Sequence, residues 1–261
     1  MRTRRKRVRL GRIYCDAVTF AGAIDAVVAL ARAGKGGYVV TPNVDHVCLA
    51  EEHPGLLSAY DGAALSLADG MPLVWMSRAL GHPLPAKVSG SDLVVPLLER
   101  AAQERLPAFF LGAAPGVADE AARRLTARIP TLEVCGTFAP PLGFEEDPAL
   151  LEETFARVEG AKPALVLIAL GCPKQEVFMR AHSERLAPAV CLGLGASLDF
   201  IAGKVKRAPA WMSNAGLEWT WRLAQEPRRM YERYFVRDRV IGRIFLEMLR
   251  LPHEERAYFV G

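Results

Sequence analysis

Three short polar runs in this sequence contain side chains that could carry out chemistry, and each follows an apolar stretch typical of a buried strand. They are Thr41-Pro-Asn43, Ala68-Asp69-Gly70 and Gly171-Cys-Pro-Lys-Gln-Glu176. A lone carboxylate such as Asp69, at a strand end, is suited to accept a proton from a substrate hydroxyl. A Gly-Pro turn that opens a helix can point backbone amides at an anion. Each run alone is also typical of a capped turn, so only their combination indicates a site.

The elements that would position these runs alternate between strands and helices. The predicted strands are Tyr38–Thr41, Ala64–Leu67, Ala108–Leu111, Leu132–Thr137, Ala164–Ala169 and Ala189–Gly193. The predicted helices are Val44–Glu52, Pro72–Leu80, Asp92–Gln103, Val117–Ile129, Pro148–Glu159 and Lys174–Arg185. This alternation predicts an α/β fold with a mostly parallel sheet and helices on both faces. Ligands of such sheets bind beyond the carboxyl ends of the strands, where all three runs fall.

The pattern changes after about residue 203, where no strand-like run is predicted and aromatic residues alternate with arginines. We therefore divide the chain into a catalytic domain over residues 1–202, beginning with a basic tail at residues 1–12, and a helical appendage over residues 203–261. Apolar residues recur there at helical spacing, with arginines outside the stripe: Val236, Val240, Ile241, Ile244, Phe245, Met248 and Leu249. A basic amphipathic helix of this kind is typical of a membrane interface. A helix packed on the domain, with a solvated basic face, has the same pattern.

Charge and composition limit the class of protein. Residues 1–12 carry seven basic and no acidic residues, residues 13–202 carry 14 basic and 22 acidic, and residues 203–261 carry 12 basic and 7 acidic. The basic ends suit anionic partners such as phospholipid, diphosphate or nucleic acid, and they equally suit a solvated surface. With no apolar stretch long enough to cross a bilayer and no signal region, we expect a cytoplasmic protein. The five cysteines form no CxxC pair, which argues against a zinc site or a disulfide framework.

Known nucleotide-binding patterns are incomplete in this chain. The run Leu192-Gly-Leu-Gly-Ala-Ser-Leu198 lacks the last glycine of the GxGxxG pattern, and Leu111-Gly-Ala-Ala-Pro-Gly116 lacks the GK[ST] of a P-loop. No DxD sequence occurs. A diphosphate would therefore have to be neutralised by protein groups instead of a DxD-bound metal ion.

At these runs the sequence resembles the WecG/TagA/CpsF family of glycosyltransferases, from about Tyr38 to Tyr234. The matching stretches are Thr41-Pro-Asn43, Ala68-Asp-Gly-Met-Pro-Leu-Val-Trp75, Lys87-Val-Ser-Gly-Ser-Asp-Leu93, Leu111-Gly-Ala-Ala-Pro-Gly-Val117, Gly171-Cys-Pro-Lys-Gln-Glu176, Gly203-Lys-Val-Lys-Arg-Ala-Pro-Ala-Trp-Met212, Gly216-Leu-Glu-Trp219, Arg222-Leu223 and Glu226-Pro-Arg-Arg229. The resemblance implies a Rossmann-like α/β core with a helical C-terminal appendage that docks on the membrane and completes the active site. The chain departs from the family at Lys87, where arginine is usual, and at Cys172, where serine or alanine is usual.

The resemblance also implies which residues form the site. Asp69 matches the catalytic base, and Thr41 and Asn43 match polar residues that line the catalytic pocket. Six further positions match, in order, the pocket glutamine, two positions that hold the uracil and three cations expected near the diphosphates: Gln175, Asp199, Phe144, Lys87, Arg222 and Arg229. Docking of the appendage on the membrane is expected to bring Arg233 toward a diphosphate as well. At Lys87 the substitution keeps the positive charge and loses the bidentate phosphate contact of arginine.

The implied activity is an inverting transfer of a sugar from a UDP-sugar to an undecaprenyl-diphosphate-linked sugar, without a metal ion or cofactor. ManNAc, ManNAcA, glucose and glucuronate are all compatible donors, and teichoic acid linkage units, enterobacterial common antigen and exopolysaccharides are compatible products. The expected partners are the two substrates and an anionic membrane, on the inner face of the plasma membrane, with a homo-oligomer also compatible and nucleic acid not expected. A nucleotide-dependent oxidoreductase and a non-enzymatic membrane or nucleic-acid adaptor are the alternatives. Truncation near Arg207 is expected to leave a folded core with little activity.

Overall fold

The strands form a large parallel sheet and a small antiparallel sheet in the computed structural model, which describes residues 5–260 except for the side chains of Ala210, Asn214 and Arg229. The strands are β1 (Arg5–Leu10), β2 (Ile13–Asp16), β3 (Gly37–Val40), β4 (Leu65–Ser66), β5 (Ala108–Gly112), β6 (Val134–Phe138), β7 (Leu165–Ala169), β8 (Val190–Gly193) and β9 (Ala257–Val260).

Helices surround both sheets and also form most of the C-terminal region. The α-helices are α1 (Phe20–Ala33), α2 (Val44–Leu49), α3 (Pro54–Asp61), α4 (Met71–Ala79), α5 (Gly90–Gln103), α6 (Val117–Arg128), α7 (Pro148–Ala161), α8 (Lys174–His182), α9 (Ser197–Ala202), α10 (Ala210–Asn214), α11 (Glu218–Gln225), α12 (Pro227–Tyr231) and α13 (Ile241–Arg250). A π-helical turn (Glu232–Arg237) and a 3₁₀ turn (Asp238–Val240) join α12 to α13, and a second 3₁₀ turn (His253–Arg256) precedes β9.

The large sheet has the strand order β4-β3-β8-β7-β5-β6, and all its neighbouring strands are parallel. Successive residues of a strand enter different cores: Phe109 packs in the core on one face and Phe110 in the core on the other. Helices therefore cover both faces of the sheet, as all-parallel sheets require. The predicted α/β fold is confirmed, and each of the six predicted strands lies in this sheet.

The small sheet joins the two ends of the chain. Strand β1 pairs antiparallel with both β2 and β9. The Nε atoms of Arg5 and Arg7 lie 2.6 Å and 3.0 Å from Oδ1 of the fully buried Asp16 side chain. Residues 5–10 are therefore a strand instead of a tail, and at least two of their cations neutralise an internal carboxylate. The prediction that no strand follows residue 203 is wrong, because Ala257–Val260 completes this sheet.

The middle of the predicted amphipathic stripe packs against the rest of the protein, whereas Val236 and Leu249 at its two ends are exposed. In α13, Ile244 and Met248 are buried in the same core as Val8 and Val47. Ile244 and Met248 therefore fit the packed alternative and are not free to enter a membrane, whereas Leu249 of the same stripe is exposed. Truncation near Arg207 would remove these core residues together with β9, so the expectation that it leaves a folded core is not supported. No helix within the described part of the chain is long and apolar enough to span a bilayer.

Candidate active site

A cavity of about 500 Å³, here called the central cavity, lies beyond the carboxyl ends of four neighbouring strands. The chain leaves β3 toward β4 at one edge of the sheet and later returns through β7 and β8 on the other side of β3. Doubly wound sheets bind ligands at such a change of direction. The loops after these strands line the cavity with Thr41, Asn43, Asp69, Gly171, Cys172, Gln175, Leu194, Gly195, Ala196 and Ser197.

Asp69 is held at the border of this cavity by its own backbone. Its amide donates a hydrogen bond to the carbonyl of Pro42 over 2.7 Å. The next residue, Gly70, has φ of 117°, a conformation that a side chain would disfavour. Burial raises the pKa of Asp69 to about 7, with a further contribution from the negative charge of Glu218, against the opposing effect of Arg222. This carboxyl group can therefore gain or lose a proton near neutral pH.

Thr41 and Asn43 hold the loops of the cavity together. The Thr41 hydroxyl donates to the carbonyl of Gly193 at the end of β8, over 3.0 Å. The side-chain oxygen of Asn43 caps α2 by accepting from the amide of His46. The same oxygen accepts a hydrogen bond from Nη2 of Arg233 over 3.1 Å. Both residues line the cavity, and both also have structural partners.

Gln175 connects the loops after β7 and β8. Its Oε1 accepts from the amide of Gly195 over 3.1 Å, and its Nε2 donates to Oε1 of Glu176 over 2.7 Å. The backbone amide of Gln175 donates to the carbonyl of Gly171, so it is not free for an anion as the turn pattern predicted. Lys174 forms an ion pair with Glu145. The start of α8 therefore contributes the Gln175 side chain to the cavity, and the amide of that residue has an internal partner.

The C-terminal region forms the remaining wall of the central cavity, with Arg222, Met230, Glu232, Arg233, Val236 and Arg237. Nη2 of Arg222 lies 2.9 Å from Oε1 of Glu218, and its guanidinium lies 5.7 Å from the ring centre of Phe200. Because Arg222 also lines the two cavities described below, it lies where three spaces meet. The structure thus brings Arg222 and Arg233 to the same cavity as Asp69.

Two acidic residues that sequence reasoning missed, Asp45 and Asp238, pair with Arg233 and Arg237. Asp45, in α2, lies 2.5 Å from Nη2 of Arg237 and 3.4 Å from Nη2 of Arg233. Asp238 lies 3.9 Å from Nε of Arg233, and burial together with the charge of Asp45 raises the pKa of Asp238 to about 7. The sequence offered one signal for Asp45, which is that it lies two residues after Asn43 and therefore beside a predicted site residue.

Two further spaces adjoin the central cavity. A side cavity of about 340 Å³ lies between α9 and α11, and its lining includes Asp199, Lys206, Trp221 and Gln225. Burial raises the pKa of Asp199. A wider apolar groove of about 720 Å³ runs between α4 and the C-terminal region, and its apolar lining includes Trp75, Met76, Trp219, Tyr234, Phe235, Ile241 and Phe245. Asp69, Lys87, Arg222 and Arg233 also line this groove.

Two of the other predicted site residues, Lys87 and Phe144, are not placed as free side chains of the central cavity. Nζ of Lys87 lies 2.9 Å from Oδ2 of Asp92 and 3.0 Å from the hydroxyl of Ser213, so this cation already has two partners. Phe144 is buried in the core, with its ring centre 5.6 Å from that of Phe178, and it lies outside the linings of all three cavities. An apolar ring gains more from this packing than from a place at a polar pocket. Arg229 lies in α12, and its side chain falls outside the described structure.

Comparison with known proteins assigns the chain to a family. The profile of the glycosyl transferase WecG/TagA/CpsF family matches residues 8–254. A curated relative, the N-acetylglucosaminyldiphosphoundecaprenol N-acetyl-beta-D-mannosaminyltransferase of Bacillus spizizenii, is 34% identical over 195 residues, which are 75% of this chain and 74% of that protein. Because the family profile spans the sheet, the cavity and most of the C-terminal region, this chain belongs to the WecG/TagA/CpsF family and is a glycosyltransferase.

Proposed function

We propose that this chain transfers N-acetylmannosamine from its UDP derivative to N-acetylglucosamine carried on undecaprenyl diphosphate. The observation that carries the proposal is the position of Asp69, a carboxyl group with a pKa of about 7, on the border shared by the central cavity and the apolar groove. The printed name of the relative from Bacillus spizizenii favours this donor and acceptor over ManNAcA, glucose or glucuronate. The family assignment gives no support to the oxidoreductase and adaptor alternatives.

The reaction needs one base and a means of stabilising the leaving group. The Asp69 carboxylate accepts the proton of the acceptor hydroxyl. At the same time the oxygen of that hydroxyl forms a bond to the anomeric carbon of the donor sugar. The bond from that carbon to the UDP oxygen breaks on the opposite side, which inverts the anomeric centre. Negative charge develops on the departing diphosphate, and Arg222 and Arg233 lie on the cavity wall where they can neutralise it. Two protein cations supply this stabilisation without a metal ion.

The three spaces suggest a place for each substrate. The uridine fits the side cavity, where the carboxylate of Asp199 can accept a hydrogen bond from the uracil ring. The sugar of the donor then enters the central cavity beside Asp69. The polyprenyl chain of the acceptor fits the apolar groove, which lies between aromatic side chains and opens toward Asp69. Arg222 borders all three spaces, so it can contact the diphosphate that links them.

A transfer assay with several donors tests the proposed function. Purified chain is mixed with UDP-linked ManNAc, ManNAcA, glucose or glucuronate and a lipid-diphosphate-GlcNAc analogue, in the presence of EDTA, and UDP release and product are measured. We expect product with UDP-ManNAc and no loss of rate on adding EDTA. Transfer from another donor alone would overturn the donor assignment. A rate that depends on added Mg²⁺ or Mn²⁺ would overturn the metal-independent mechanism.

The raised pKa of Asp69 predicts the pH dependence of the reaction. Because half of a carboxyl group with a pKa of about 7 is in the base form at about pH 7, kcat/KM should rise with pH, with its midpoint near pH 7, and level off above about pH 8. Glu218→Gln removes a negative charge that raises this pKa, so the midpoint of the rise should move to lower pH. The measurement is kcat/KM from about pH 5 to about pH 9, a range that brackets the expected midpoint on both sides. A midpoint that is unchanged in Glu218→Gln would contradict the assignment of the titrating group to Asp69.

We also propose that the protein docks on an anionic membrane through its exposed aromatic side chains. Trp211 is 65% exposed and Phe235 is 50% exposed, and both lie in the basic C-terminal region. Replacing both with alanine should lower sedimentation with anionic vesicles at least about tenfold, because burial of such side chains contributes on the order of 1–2 kcal/mol each. Leu142→Ala is the control, since Leu142 is 98% exposed and lies outside this region. Unchanged sedimentation of the double variant would exclude these residues as the contact.

A further inference from the structure

A cluster of three potential metal ligands lies at the edge of the central cavity. His46 comes from α2, Cys172 from the loop after β7 and Glu176 from α8, and their ligand atoms all lie within 4.8 Å of one another. His46 and Cys172 line the cavity, whereas Glu176 is fully buried behind them. The mechanism proposed above uses none of these three side chains.

Glu176 is the member of the cluster whose burial most needs an explanation. Its Oε1 accepts a hydrogen bond from Gln175, but its Oε2 has no hydrogen-bond partner among the residues that the structure describes. A buried carboxylate oxygen without a donor or a cation is costly, on the order of a few kcal/mol. The unpartnered oxygen is therefore a position at which a bound cation would be stabilising.

The other two side chains offer a nitrogen and a sulfur donor to a bound cation. Nδ1 of His46 lies 2.6 Å from the hydroxyl of Tyr60, which fixes the ring. In the tautomer in which Nδ1–H donates to this hydroxyl, Nε2 keeps the lone pair that a cation needs. Burial lowers the pKa of His46, so its imidazole is neutral and keeps a free lone pair. Burial and the charge of Glu176 raise the pKa of the Cys172 thiol, so this ligand must release a proton when it binds a metal ion.

We propose that His46, Cys172 and Glu176 bind one divalent cation of the zinc class. A nitrogen, a sulfur and an oxygen donor together suit Zn²⁺ and similar ions, whereas Mg²⁺ and Ca²⁺ prefer oxygen alone. The charges of one thiolate and one carboxylate balance the ion. Donor atoms around tetrahedral zinc lie about 3.3–3.8 Å apart, so side-chain shifts of about 1 Å would close the present cluster around it. The fourth position would face the central cavity, where a water molecule can occupy it.

This site is separate from the chemistry of sugar transfer. The proposed cation lies with Glu176 behind the cavity surface, and Asp69 is not a member of the cluster. Glu176 can use Oε2 for the ion and keep Oε1 with Gln175. No candidate pattern was visible in the sequence, because His46 is far from the other two ligands in the chain and only the fold brings the three together.

Cobalt substitution tests the proposal directly. The full chain is treated with a chelator, dialysed and titrated with Co²⁺, whose thiolate charge-transfer absorption and strong visible bands report a cysteine ligand and tetrahedral geometry. We expect one Co²⁺ per chain, displacement of it by Zn²⁺, and loss of the charge-transfer band in Cys172→Ser. His46→Gln should weaken binding at least about tenfold while keeping the band at saturation. The control is Cys135→Ser, because Cys135 is a partly exposed cysteine in β6, and it should leave spectrum and affinity unchanged.

Three outcomes would overturn the assignment. One is the absence of a charge-transfer band from the unmodified chain at saturating Co²⁺. Another is a band that persists in Cys172→Ser, which would place the thiolate ligand elsewhere. The third is equal affinity of the His46→Gln variant and the unmodified chain. A folded state for each variant is checked by circular dichroism. If Cys172→Ser does not fold, His46→Gln decides the result by its affinity.

Discussion

Asp69→Asn should lower the turnover of sugar transfer by about 100-fold or more, which is the usual contribution of a positioned general base. Asparagine has the shape of the carboxyl group and cannot accept the hydroxyl proton. The backbone hydrogen bond from residue 69 to Pro42 does not involve the side chain, so the loop should keep its conformation. Because Asp69 lines the central cavity and the apolar groove but not the side cavity, affinity for UDP should change little.

The measurements are single-turnover transfer to the lipid-diphosphate analogue and calorimetry with UDP. Asp61→Asn provides a matched control, since Asp61 is an exposed aspartate at the end of α3. It should retain the full rate. The rate of Asp69→Asn should also lose the rise near pH 7, because the group that titrates there is gone. Near-normal turnover of Asp69→Asn would remove this residue from the role of base.

The parallel sheet could be predicted because its strands are short apolar runs that end in Gly, Pro or polar residues. β5 and β7 are buried along their whole length, so burial on both faces left a continuous apolar signal. Strand β1 was missed because its alternating Arg-Val-Arg-Leu pattern reads equally as a basic tail. Arg5 and Arg7 of this strand gain a partner inside the protein only when Asp16 is placed beside them. Strand β1 pairs with β9 from the other end of the chain, and local sequence patterns cannot predict a pairing over that distance.

Helices α1 and α3 carry recognisable signals that the sequence interpretation did not use. Thr19 caps α1 by accepting from the amide of Gly22, and Gly34 ends the helix with φ of 62°. Pro54 stands in the first turn of α3, a position that suits its fixed φ. Helix α3 packs against α8, and its Tyr60 contacts His46 behind the central cavity. The predicted location of the site did not change, because it follows from the strand ends and not from these two helices.

The loops of the candidate site could be predicted, but its electrostatics could not. Residues Thr41, Asn43, Asp69 and Gln175 follow strands that the sequence already indicates, so their convergence follows from the parallel sheet. The pKa of Asp69 depends on how deeply the loop is covered and on Glu218, which is distant in sequence. The pairing of Asp45 with Arg233 and Arg237 likewise depends on how the C-terminal region packs onto α2.

The C-terminal region therefore has two distinct contributions that truncation would confuse. Its inner residues, such as Ile244 and Met248, are part of the core, and its strand β9 completes the small sheet. Three of its arginines, Arg222, Arg233 and Arg237, line the central cavity. A shortened chain that is inactive could have lost either its fold or its cations. Point substitutions at exposed or cavity-facing positions separate the two contributions.

Arg222→Ala should reduce kcat/KM by about 100-fold or more, the usual cost of removing one group that stabilises developing charge. Two effects act in the same direction. The departing diphosphate loses a cation, and Glu218 loses its ion-pair partner at 2.9 Å. Because Arg222 lowers and Glu218 raises the pKa of Asp69, removal of Arg222 should raise that pKa above about 7. The rise of kcat/KM with pH should accordingly move to higher pH.

The pH profile separates these two effects. Raising the pH should restore the part of the loss that comes from protonated Asp69, and the part that comes from the diphosphate should persist at every pH. Arg222→Lys should recover some of the rate, because lysine keeps the charge and loses the two-pronged contact. Arg228→Ala is the control, since Arg228 is an exposed arginine in α12. Complete recovery of Arg222→Ala at high pH would show that Arg222 acts only through Asp69, and an unchanged rate would exclude it from the site.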